Sequence, residues 1–73
     1  MNRLVNMLRK SAEADKAKAL LSLELLDKKA VGIGDHSTED FYKNAEDALK
    51  MLVDADDRLE ALDKYFNEQE LLV

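Results

Sequence analysis

Cysteine is absent from these 73 residues, which excludes disulfide bridges, thiolate zinc sites and a thiol nucleophile. Proline is absent too, so nothing in the chain obliges a helix to kink or stop. Aromatic residues make up only 5%, and histidine occurs once, at His36. A Ser-His-Asp constellation is excluded with it, because no serine beside His36 has the strained-turn context a nucleophile needs. Glycine occurs twice, and Gly32-Ile33-Gly34 is too short to cradle a phosphate, with no Gly-Lys-Ser/Thr after it. No apolar run reaches the roughly 18 residues that a membrane span needs. Met1 to Lys10 mixes polarity and lacks the apolar stretch of a signal peptide. The expectation is a soluble, cytoplasmic chain with no membrane partner.

What is present favours helix. Hydrophobic residues make up 47% and charged residues 37%, with Ala, Leu, Glu, Asp and Lys abundant. So charged a chain could be disordered, but its apolar residues recur at a regular period, which argues for a packed structure. The net charge of −5 conceals an asymmetry. Residues 1–34 carry seven Lys/Arg and four Asp/Glu, a net +3; residues 35–73 carry four and twelve, a net −8. Two helices of opposite charge lying side by side account for this more simply than a basic arm for nucleic acid and an acidic face for a basic partner.

The clearest pattern lies in the second half. Phe41, Ala45, Ala48, Leu52, Ala55, Leu59, Leu62 and Phe66 are spaced alternately by four and three, the heptad repeat of a helix packed along one seam. Ser37-Thr38-Glu39-Asp40 resembles a capping start, with Ser37 as the cap and two acidic residues on the positive end of the helix dipole. A helix over about 38–68 is predicted. Its small residues should let a neighbour approach closely, with Leu52, Leu59, Leu62 and Phe66 supplying bulk. Asp54, Asp56, Asp57, Glu60 and Asp63 fall largely on its far side, which is taken as the solvated face.

The first half predicts a helix of nearly equal length over about 2–31, with Lys28 and Lys29 in its last turn and a turn at 32–37 closed by Gly32. One stripe holds Val5, Leu8, Ala12, Ala19, Leu26 and Ala30, interrupted by Asp15 and Ser22. A second face holds Leu4, Met7, Ala14, Ala17, Leu21 and Leu25. Between Ala17 and Leu26 apolar residues surround most of the helix, whereas one neighbour covers a stripe of about 100°. The fold class predicted is all-α: a single antiparallel two-helix hairpin over 1–73, assembling into a four-helix bundle dimer. The interface is assigned to Leu20, Leu21, Leu23, Leu25, Leu26, Leu49, Met51, Leu52, Leu59, Leu62, Tyr65 and Phe66.

Chemistry has weaker candidates. Asp35, His36, Glu39 and Asp40 cluster at the turn, but a zinc site needs three or four well-placed ligands and no second histidine exists. A polar cap and turn explain the cluster. All-α nucleotide pyrophosphohydrolases hold magnesium on repeated acidic pairs, and Glu46, Asp47, Asp54 and Asp57 offer carboxylates at about two-turn intervals. No Glu-Glu-x-x-Glu run occurs, however, and the chain is short for such an enzyme. Arg3, Arg9, Lys10, Lys16 and Lys18 could touch phosphates, yet helix 1 has no aromatic residue to stack on bases and the acidic second helix opposes them. No catalytic residue, metal ligand or cofactor is assigned, and nucleic acid is not expected as a partner.

Val31-Gly32-Ile33-Gly34-Asp35-His36-Ser37-Thr38-Glu39-Asp40-Phe41, followed by Leu52-Val53-Asp54-Ala55-Asp56-Asp57-Arg58-Leu59 and Lys64-Tyr65-Phe66, resembles small uncharacterised all-helical proteins of tailed phages. The resemblance covers the loop and most of the second helix. It implies a host bacterial cytoplasm and carries no activity. The function expected is a non-enzymatic interaction or self-assembly module, with a homo-dimer as the first partner. The alternatives are an acidic accessory or inhibitory protein that binds a host protein, and a metal-dependent nucleotide hydrolase.

Overall fold

A computed structural model describes residues 2–29 and 38–66 of the chain. The described residues form two α-helices, α1 (Asn2–Lys29) and α2 (Thr38–Phe66), packed along one another. The turn at 32–37 with Asp35 and His36 of its polar cluster, the cap at Ser37, the last two predicted residues of helix 1 and the C-terminal stretch from Asn67 lie outside the described residues, while Glu39 and Asp40 fall within α2. Charge suits the helix ends that are described: Lys28 and Lys29 close α1, Glu39 and Asp40 open α2, and Lys64 sits in the last turn of α2.

The buried apolar residues are few and evenly spaced: Val5, Ala12 and Ala19 on α1, and Ala48, Ala55 and Leu62 on α2. Each helix therefore presents one residue every seven to its neighbour. Seven residues fall about 20° short of two full turns, so a strict seven-residue seam draws the helices into a shallow left-handed coil. Four of the six are alanines, and small residues on the contact line let helix axes approach toward the lower end of the usual 8–10 Å.

The helices run antiparallel. Arg9 pairs with Asp63 and Lys16 with Asp56, so advancing seven residues along α1 retreats seven along α2. Arg58 with Asp15 repeats the register on the opposite side of the seam. On this register Ala12 falls between Leu62 and Ala55, and Ala19 falls between Ala55 and Ala48. The predicted helical hairpin is the observed fold.

Two details differ from the sequence-based expectation. Bulk does not fill the seam: of its large residues only Leu62 is buried, Leu52 and Leu59 are half-buried, and Phe66 is exposed. Close approach of the alanine backbones leaves no room between the helices, so the leucines lie beside the contact line. The acidic residues of α2 are not all on its solvated side either. Asp56 and Asp63 follow directly after buried Ala55 and Leu62, about 100° around the helix, where their carboxylates reach α1.

The alanine line makes a specific prediction. Ala55→Leu inserts three carbons where Ala55 has no exposed surface and should cost about 1–3 kcal/mol in urea unfolding at fixed protein concentration. Ala14→Leu, at an exposed position on the same hairpin, should change stability by less than about 0.5 kcal/mol. Equal effects would show that close approach does not limit the seam.

Candidate interaction surface

An α-helix turns about 100° per residue, so positions four beyond a buried residue lie on one side of the seam and positions three beyond lie on the other. On the first side α1 places Arg9, Lys16 and Leu23, and α2 places Leu52 and Leu59; Leu20 and Leu49, each one past a buried alanine, extend it outward. On the second side α1 places Leu8, Asp15 and Ser22, and α2 places Met51, Arg58 and Tyr65; Leu25 extends it outward. The hairpin therefore has a leucine flank and an arginine flank.

The leucine flank is divided lengthwise. Toward the turn it carries Leu20, Leu23, Ala45, Leu49 and Leu52, with Asp27, seven residues beyond Leu20, as the charged group at its turn end. Toward the termini it carries Arg9–Asp63 and Lys16–Asp56, the latter at 2.9 Å. All four of these side chains keep substantial exposure, so each pair adds only tenths of a kcal/mol, and their main effect is on register.

The arginine flank is interrupted at its middle. Arg58 Nη2 donates to Asp15 Oδ2 at 2.7 Å across the helices, and Arg58 Nε lies 3.0 Å from Asp54 Oδ2, too poorly aligned to form a hydrogen bond. The hydrogen bond to Asp15 raises the Arg58 pKa above its already high ordinary value; burial opposes the shift, and the charges of Asp54 and Asp15 add to it. A raised cation pKa contributes stability below its unfolded-state value and loses it only in strong alkali, so the guanidinium stays charged from about pH 6 to 9. On either side of this bridge lies an open cleft. One, of about 370 Å³, is lined by Leu25, Leu26, Ala48 and Met51 together with Lys29, Asn44 and Asp47; the other, of about 220 Å³, is lined by Leu8, Ala61, Leu62 and Phe66 beside Arg58.

The residues assigned to an interface from sequence are thus not on one face. Leu62 belongs to the hairpin's own core. Leu20, Leu23, Leu49, Leu52 and Leu59 share the leucine flank, while Leu25, Leu26, Met51 and Tyr65 share the arginine flank. Phe66 lines the cleft at the terminal end, and Leu21 faces away from α2. Among described residues outside that set, Leu4, Met7, Leu8, Tyr42 and Val53 are also exposed. Arg58 was not singled out from sequence, although a signal existed. It stands three residues past Ala55 as Asp15 stands three past Ala12, two opposite charges at the same place in the repeat. The apparent interruption at Asp15 is the α1 half of that bridge.

Among the described residues, no three carboxylate or imidazole groups gather closely enough to hold a metal ion, and no helix is long and apolar enough to cross a membrane. Of the basic residues considered for phosphate contact, Arg9 and Lys16 hold carboxylates of α2, and Lys10 lies 3.6 Å from Glu13. No protein-family model, curated protein or solved structure matches the chain.

If the Arg58 bridge acts through charge, Arg58→Gln should lower the melting temperature at low ionic strength, and the deficit should shrink in about 1 M salt, where the screening length is about 3 Å. A deficit unchanged by salt would assign the loss to packing of the arginine stem instead.

Proposed function

We propose that the chain is a non-enzymatic interaction module that works by self-association, two hairpins completing one four-helix bundle. The observation that carries this reading is unpartnered apolar surface. Among the described residues twelve large hydrophobic side chains are exposed, while Val5 and Leu62 are the large ones buried. One pair of helices has no second layer to cover them, and a chain without cysteine has no disulfide to replace the missing core.

The reading in which acidic α2 engages a host protein has less support, because Asp54, Asp56 and Asp63 already hold cations of this chain. The phage setting suggested by the loop and second helix remains part of the proposal and specifies where such a module would work, not on what.

Sedimentation at micromolar concentration should give a mass of at least twice 8.3 kDa. A stable, folded monomer would overturn self-association. Leu23→Asp, on the leucine flank, should weaken assembly, and an unchanged mass and melting temperature would remove Leu23 from the interface.

A further inference from the structure

Self-association leaves open which flank is used and how the second hairpin is oriented, and two independent features of the structure bear on this. The first is the distribution of apolar surface. On the leucine flank, Leu20 is 48% exposed and Leu49 is 53% exposed, with Leu23 and Leu52 half-buried between them. These four lie in the half of the rod nearest the turn, and the other half of that flank carries the Arg9–Asp63 and Lys16–Asp56 pairs. On the arginine flank, Asp15, Arg58 and Asp54 sit between the two clefts, one of which also carries Lys29 and Asp47, so a partner there would have to bury several charges to reach both.

The second feature is the charge of whole helices. Residues 2–29 carry seven basic and four acidic side chains, a net +3; residues 38–66 carry four and nine, a net −5. Two hairpins can meet face to face through a two-fold axis in two ways. With the axis along the rod, both turns lie at the same end, and α1 of each copy rests on α2 of the other. With the axis across the rod, the turns lie at opposite ends, so α1 meets α1 and α2 meets α2.

We infer that the partner is a second copy of this chain, docked leucine flank to leucine flank with both turns at the same end of the bundle. This deepens the self-association reading and rests on it. Only this arrangement sets each basic helix between two acidic ones and lays the Leu20–Leu23–Leu49–Leu52 surface against its own copy. The opposite orientation sets like-charged helices together and brings the apolar half of one copy against the charged half of the other. Like-charge juxtaposition across an interface selects against an orientation even where attractive pairs add little affinity.

The lack of native cysteine allows a direct test. Lys64→Cys places one spin label near the terminal end of α2, on an exposed residue away from both flanks. Helix rise and spacing put the two labels of a same-end dimer about 20 Å apart, and those of an opposite-end dimer about 35 Å apart or more. A distance near the shorter value, measured by double electron–electron resonance on full-length chain, supports the inference. The longer value overturns the orientation while leaving self-association standing. A monomeric sample with no dipolar coupling overturns both. The flank is tested by sedimentation of Leu49→Glu and Leu25→Glu, which lie on opposite sides of the seam. The first should reduce the mass to that of one chain and the second should leave it unchanged; the reverse result assigns the contact to the arginine flank and overturns the inference.

Discussion

Close approach along Ala12, Ala19, Ala48 and Ala55 is the constraint on which the rest of the hairpin depends. Methyl groups at the line of contact bring two backbones together, and little space remains between them for larger side chains. The leucines that share the heptad pattern are therefore displaced to either side of the seam. The same proximity lets Arg9, Lys16 and Asp15 on α1 reach carboxylates or a guanidinium on α2. A hairpin built this way orders long helices with a very small core. Burial of methyl-sized groups contributes about 0.8 kcal/mol each, against about 1–2 kcal/mol of backbone entropy for each residue ordered. The interior of one copy is small, and the displaced leucines are left exposed.

Charge has two separate roles here. Within a copy, the cross-helix pairs are exposed and individually weak, but they recur at the spacing of the seam and occupy one register. A slip of one heptad would keep alanine against alanine while changing which charged groups face each other. In the proposed dimer, the net +3 of α1 and −5 of α2 act as extended fields, so orientation would be selected by whole-helix charge. Arg58 joins the two roles. It bridges the helices through Asp15, and it splits the arginine flank with a polar group that an apolar partner would have to desolvate.

The seam of α2 was legible because its apolar residues alternate in steps of four and three from Phe41 to Phe66, a local pattern that needs no knowledge of the neighbour. The girth of leucine between Ala17 and Leu26 was legible too, and it indicated more contact than one helix provides. The sides on which those leucines fall were not legible. Leu20 and Leu25 look equivalent in sequence, yet they lie on opposite flanks once Ala19 is fixed as the contact residue. Asp15 looked like a defect in a stripe because its partner is 43 residues away. A pairing of that kind depends on the register of the two helices, and register is a property of the pair.

Composition and periodicity by themselves determined that the chain is helical, that it has two helices of opposite charge, and that its apolar surface exceeds what one pairing covers. These follow from intrinsic propensity and from spacing along one helix, which are local quantities. Tertiary structure decided which apolar residues become interior and which become surface. Alanines occupy the line where backbones meet because they permit the closest approach, and leucines one position away are left facing outward. That choice is made by the distance between two helices, which neither helix specifies alone.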